Sequence, residues 1–197
     1  MLKILKSFLV IAVVGAIATS ATGAYFSDSE TSTGNTFSAG SLDLNVDGGN
    51  TNVVKFNVTN MRPGNQPTAQ YTLANVGTIN GYLDLANITV TDLENGITEP
   101  ESSAGDITDP QGELSSVLGL TVYWDNDGDG YYSVGDVKIY DSMANGIASS
   151  YDTNKLVTAG SNVKMMVVVN WWNTPNDNLA QTDSMQLDFT FNLSQNM

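Results

Sequence analysis

Residues 185–193 read MQLDFTFNL. Met185, Leu187, Phe189, Phe191 and Leu193 alternate with Gln186, Asp188, Thr190 and Asn192. A strict period of two marks a strand with one face on a core and the other in water. Working outward, Val163–Trp171 (VKMMVVVNW) is apolar at nearly every position and reads as a central strand covered on both faces. Ala69–Asn75 alternates with Tyr71 and Leu73 on one side, and Val53–Val58 alternates in the same way. Between these two, Met61-Arg62-Pro63-Gly64 reads as a turn. In Tyr82–Val90 the apolar parity shifts between Leu83/Leu85 and Ile88/Val90, which predicts a bulge.

Further strands are predicted at Thr36–Val46, Leu120–Trp124 and Val137–Tyr140, with a short helix or turn at Glu113–Leu120. Residues 92–112 and 141–161 read as polar surface connections, the second with a helical turn near Ala144–Ser149. About eight strands without a long helical period define an all-β chain, an antiparallel β-sandwich of jelly-roll type with a few short helices in its loops.

The N-terminus departs from this pattern. Lys3 and Lys6 precede the apolar run Phe8–Ile17, and Thr22 and Ala24 sit at −3 and −1 of a cut before Tyr25. This is the form of a cleavable export signal, residues 1–24, and the apolar run is too short for a stable membrane span. Residues 25–46 then form an N-terminal segment that opens on the aromatic pair Tyr25-Phe26, continues small and polar and ends strand-like, and 47–197 form the sandwich domain. Loss of Lys3 and Lys6 takes the net charge from −14 to −16. Such acidity argues against nucleic acid and anionic lipid as partners. The chain has no cysteine and no histidine. Disulfides therefore cannot stabilise it, and histidine acid/base chemistry and HExxH zinc sites cannot be built. The expectation is that the chain is not an enzyme, with a metallopeptidase ranked last among its readings.

The densest chemical signal is Asp125-Asn126-Asp127-Gly128-Asp129-Gly130-Tyr131-Tyr132-Ser133-Val134-Gly135-Asp136. Carboxylates at loop positions 1, 3 and 5, glycine at 6 and an acid at 12 give the spacing of an EF-hand-type calcium loop. Asp125, Asp127, Asp129 and Asp136 would supply carboxylates, Tyr131 its backbone carbonyl, and Ser133 a bridging water. Asp in place of Glu at position 12 shortens the reach. The flanking runs are strand-like, so the loop is expected on a β-hairpin, with calcium as the structural cofactor. Of Trp171 and Trp172, one ring should be core and the other exposed. Asp43 and the acids of 92–113 read as a solvated face, with a second cation site as the minor alternative. Asn57, Asn87 and Asn192 head glycosylation triplets.

The run GAYFSDSETSTGNTFSAGSLDL after the signal, the block VVKFNVTNMRPGNQPTAQYTLANVG and the C-terminal NDNLAQTDSMQLDFTFNLSQ together resemble the TasA/camelysin-like family, exported proteins cut by a SipW-type signal peptidase. That resemblance implies a jelly roll secreted to the cell surface, where relatives form extracellular filaments, pili or biofilm matrix. It also implies that the mature N-terminal segment, here within Tyr25–Val46, is donated as a strand to the next subunit; the alternative is that Thr36–Val46 pairs within its own sheet. The function expected is thus a structural subunit polymerising head to tail and stabilised by calcium, its partners being copies of itself and, during export, signal peptidase. The competing expectation is a monomeric calcium-dependent surface module, with carbohydrate as a candidate ligand for the tryptophans.

Overall fold

The computed structural model describes residues 2–21, 38–50 and 60–195. The export cleavage position, most of the N-terminal segment (22–37), the expected strand Val53–Val58 and Asn57 lie outside the described residues. The chain divides into two units, Met1–Ser38 and Ala39–Met197. The first contains one helix, α1 (Leu2–Ala21), spanning the expected signal. Among the described residues no helix is long and apolar enough to cross a membrane.

The second unit is an antiparallel sandwich. One sheet has the order β1 (Leu44–Val46), β2 (Thr68–Asn75), β7 (Asn162–Trp171), β4 (Leu118–Asp125), β5 (Val137–Met143). The other has the order β6 (Tyr151–Val157), β3 (Gly81–Leu93), β8 (Ser184–Ser194). The inward positions follow the period of two. Tyr71 and Leu73 of β2, Leu120, Val122 and Trp124 of β4, and Met165, Val167 and Val169 of β7 face Leu83, Leu85 and Ile88 of β3 across one core. Strand β7 is central, paired with β2 on one side and β4 on the other. The parity shift in β3 is a bulge: the register with β8 slips between Ala86 and Thr89, around Asn87 at φ +50°. The turn at Arg62–Asn65 closes through the Asn65 N–H on the Arg62 carbonyl at 3.0 Å, with Gly64 at φ +92°.

Three stretches differ from the sequence reading. The 141–161 connection is not loop alone: β5 runs on to Met143, a 3-10 turn covers Ala144–Gly146, and β6 occupies Tyr151–Val157. Strand β6 turns Thr153 and Lys155 inward beside Val157, so its buried face has no apolar alternation to read. Residues 92–112 are not merely a solvated loop, because β3 extends to Leu93, a short helix α2 forms at Glu99–Ala104, and Glu101 and Asp106 are buried. A second short helix, α3 (Leu114–Val117), leads into β4. Finally, Ser38–Asp43 is irregular and only Leu44–Val46 is strand, pairing with Leu73–Asn75 of the same chain.

That pairing is set by Asn75-Val76-Gly77. Asn75 is wholly buried; its side-chain N–H groups donate to the carbonyls of Ile79 (2.8 Å) and Val157 (3.1 Å), and its Oδ1 accepts from the Gly77 N–H (3.1 Å). A Cβ on Gly77 would lie 2.3 Å from the Ser41 carbonyl, so only glycine lets residues 41–43 pass there. The N–H groups of Val76 and Thr78 then donate to the carbonyls of Asp43 and Ser41, both at 2.8 Å. Replacing Asn75 with Ala strands two buried carbonyls, each a costly loss. Asn75→Ala should therefore destabilise the sandwich by about 2–3 kcal/mol, seen in calorimetry as a melting midpoint lower by roughly 4–12 °C.

Candidate metal centre

The Asp-rich loop joins β4 to β5, so it sits on a hairpin as its flanking strands require. Asp125, the last residue of β4, is 3% exposed. Its Oδ1 accepts from the Gly128 N–H (2.7 Å), and its Oδ2 from the Gly130 N–H (3.0 Å) and the Gln70 side chain on β2 (3.1 Å). Asp127 accepts from the Asp129 N–H (3.2 Å) and the Ser133 hydroxyl (2.9 Å), and Asp129 from the Tyr131 N–H (2.7 Å). Asp136 reaches back from the loop's end to the N–H groups of Asn126 (2.8 Å) and Ser133 (2.7 Å). Each carboxylate is thus aimed by a backbone donor two to ten residues away. Gly128 and Gly130, at φ +78° and +82°, make the turns this needs.

Oxygens of Asp125, Asp127 and Asp136 lie within 4.8 Å of one another. Two oxygens on one calcium, each at about 2.4 Å, can be no further apart than this. Asp129 does not join that group; its Oδ1 is held by the Tyr131 N–H. Tyr131 is exposed, with its ring turned to solvent. Ser133 does approach, through Asp127.

The charge is felt by neighbouring groups. Burial first, then the charges of Asp125, Asp136, Asp129 and Asp127, pushes the Tyr123 phenol up to about 12. Hydrogen bonds from Ser133 and the Asp129 N–H hold the Asp127 carboxyl below the usual range. Two lysines line the flank: Lys164 donates to the Gly128 carbonyl (3.0 Å), and Lys155 donates to the Asn126 side chain. The loop also covers the outer face of its sheet, where Tyr132 stacks edge-on against the buried Tyr123 at 5.4 Å.

Trp171 is buried, its indole N–H donating to Asp177 at 3.0 Å, whereas Trp172 is half exposed and lies over Gly119, where a Cβ would meet the ring at 2.2 Å. Packing therefore accounts for both rings.

The acids of 92–113, expected as a solvated face with a second cation site as the minor alternative, gather in the structure together with Asp183, which sequence reasoning did not include. Glu94 comes together with Asp106 and Glu113, and also with Glu101 and Asp183. Burial and the charges of Glu94 and Glu113 push the Asp183 carboxyl up to about 7, against the pull of the Glu113 N–H. Burial also raises Glu113, with Asp106, Glu94 and Asp92 adding to it. The spacing of these residues follows no motif, and Asp183 reaches Glu113 from 70 residues away. The hint was the number of acids in 92–113.

An all-β sandwich with carboxylate groups able to hold a metal ion is the class these features define. The family model of the camelysin metallo-endopeptidase matches residues 2–107, more than half of the chain, and the chain belongs to that family. The match takes in the export-type N-terminus and the Asn75 block, two of the segments on which the TasA/camelysin-like resemblance was read; the Asp-rich loop lies beyond it. A comparison with curated proteins finds no match. The family's description corrects one expectation: it points to a peptidase, so the reading of the chain as no enzyme does not stand. With neither histidine nor cysteine, any metal ligands must be oxygen donors. Such a set suits a hard cation better than the nitrogen- and sulfur-bound zinc of most zinc sites.

Asp125 also has a role that needs no ion, as acceptor for three N–H groups. In EDTA, Asp125→Ala should lower stability by about 3 kcal/mol, whereas Asp125→Asn, which keeps one acceptor oxygen, should lose less. Thermal melts of the two variants side by side measure this.

Proposed function

We propose that the chain is an exported structural subunit of an extracellular filament or biofilm matrix, joined head to tail by strand donation and stabilised by calcium at residues 125–136. The observation that carries this reading is a groove of about 500 Å³ along one flank of the sandwich. Leu44, Val46 and Tyr71 line one side, and Leu187, Phe189 and Phe191 of β8 the other. Tyr71, Phe189 and Phe191 form an aromatic cluster with ring centroids 5.2–5.6 Å apart. Among the described residues β8 pairs with β3 alone, so its other edge is the one that can accept an incoming strand. A strand laid there would gain backbone hydrogen bonds and bury alternate side chains on those rings.

The donor is the part of the N-terminal segment ahead of residue 38, because Ser41–Val46 already lies along β2 of its own chain. Signal peptidase would free that end. Donation from one copy to the next is a heterologous contact, and repeated without closure it builds an open filament.

Two measurements test this. Electron microscopy of the chain from Tyr25 onward should show filaments, and deletion of residues 25–35 should leave monomers. A deletion variant that assembles normally would overturn strand donation. Calcium supplies the second test. Extracellular loops of this class bind at roughly 10⁻⁴–10⁻³ M. At 10 mM calcium the loop should therefore add about 1.4–2.7 kcal/mol, a rise in melting midpoint of roughly 3–10 °C. Asp127→Asn with Asp136→Asn should remove that part of the rise, and an undiminished response would exclude calcium from the loop.

A further inference from the structure

Five carboxylates meet where residues 94–113 fold back toward the start of β8, and all five are used in one way. Glu94 Oε1 accepts from the Gly96 N–H at 3.0 Å. Glu101 Oε2 accepts from the Thr98 N–H (2.6 Å) and hydroxyl (2.7 Å). Asp106 Oδ1 accepts from the Thr108 N–H at 2.8 Å, and Asp183 Oδ2 from the Glu113 N–H at 2.6 Å. Glu113 Oε1 lies 2.6 Å from the Thr108 hydroxyl. In every case the second oxygen (Glu94 Oε2, Glu101 Oε1, Asp106 Oδ2, Glu113 Oε2, Asp183 Oδ1) is buried without a hydrogen-bond partner.

The burial is deep. Glu101 is 0% exposed and Asp106 6%. Among the described residues no lysine or arginine forms an ion pair with any of the five. Buried carboxylates are kept only when paired, hydrogen-bonded or bound to a metal. Ionised acceptors cannot satisfy one another. A proton on Asp183 can serve Glu94, but Glu101 Oε1 and Asp106 Oδ2, on the two most buried of these residues, still lack a partner, and a cation supplies one.

We propose that Glu94, Glu101, Asp106, Glu113 and Asp183 form a second calcium-binding region, a carboxylate cage of two triads that share Glu94, separate from the Asp-rich loop. Oxygens of Glu94, Asp106 and Glu113 lie within 4.8 Å of one another, as do those of Glu94, Glu101 and Asp183, so Glu94 is common to both triads. Those are the separations that oxygens around calcium adopt, and calcium takes six to eight of them in flexible geometry. Magnesium demands a tighter octahedron and keeps its waters, while zinc and copper prefer nitrogen and sulfur. Protein donors already fix one oxygen of each side chain, which pre-orients the other toward the centre. The ion would fasten the long β3–β4 crossover to the residue ahead of β8, reinforcing hydrogen bonds such as Asn95 on the Thr182 carbonyl (2.7 Å) and the Glu113 N–H on Asp183 (2.6 Å).

The test is calcium titration of the full chain by calorimetry, with melts in EDTA and in calcium. Three proteins are compared: the parent, a loop variant (Asp127→Asn, Asp136→Asn) and a cage variant (Glu101→Gln, Asp106→Asn). The loop variant should keep calcium binding at the cage. The cage variant should lose that component, or bind there roughly tenfold or more weakly, while keeping the loop's. In EDTA the cage variant should melt above the parent, because amides relieve the repulsion; in calcium the order should reverse. A purely structural role for the two acids would lower its melt under both conditions. If the cage variant does not fold, Glu113→Gln at the half-buried rim should show the same loss and the same reversal. A loop variant with no calcium binding, or a cage variant that responds to calcium like the parent, would overturn the cage. A cage variant that binds none at all would leave the cage standing and remove calcium from the loop.

Discussion

The sandwich hangs on one buried amide. Asn75 ends β2 in the five-stranded sheet, yet its side chain holds the Val157 carbonyl of β6, in the other sheet, and the Ile79 carbonyl in the link between them. Its backbone is equally committed: its N–H donates to the Ser161 carbonyl and its carbonyl accepts from Gly160. A single side chain therefore sets where the chain leaves one sheet, where it enters the other, and how the β6–β7 turn closes. Leucine would fill the space but leave the carbonyls unpaired, and aspartate would meet them with acceptors alone. Gly77 completes the arrangement by letting residues 41–43 lie against the same corner.

Charge is the second constraint. The chain carries 21 acids against 7 bases and can form no disulfide. Exposed acids cost little, since water and salt screen them. The exceptions are the carboxylates drawn inward at Asp125, Glu101 and Asp106. Asp125, buried at the end of β4, is compensated by three N–H donors spread over both of its oxygens. Glu101 and Asp106 have donors on one oxygen only. The two acidic groups thus differ in kind: the loop is built to stand with or without an ion, and the cage depends on one.

How much of this was legible follows from whether a residue's role is local. The period of two in β2, β7 and β8 and the parity slip in β3 are local, and the strands and bulge stand where those patterns put them. Strand β6 was invisible because polar Thr153 and Lys155 interrupt its inward row between Tyr151 and Val157. Thr153 donates to the Leu83 carbonyl, and Lys155 lays its ammonium 5.8 Å from the Trp124 ring centre. Likewise the Asp-rich loop could be read because its residues lie within twelve positions. Glu94, Glu101, Asp106, Glu113 and Asp183 form no such string, and only the closure of the crossover brings them together. That Asp129 stands apart from Asp125, Asp127 and Asp136 was beyond a spacing argument too, since it depends on which N–H each carboxylate captures.

The unequal sheets carry the last step. Among the described residues, five strands facing three leave one flank of the sandwich bounded by short β1 on one side and eleven-residue β8 on the other. A long edge strand is a hazard that proteins blunt with bulges, prolines, inward charges or a covering element. Strand β8 has none of the sequence devices: Met185 to Leu193 alternates without proline, and its inward side chains are apolar throughout. Those side chains are only half buried, although the same alternation on β2 gives full burial. An edge this regular, above an aromatic floor already assembled by Tyr71, Phe189 and Phe191, has the form of a surface made to be paired.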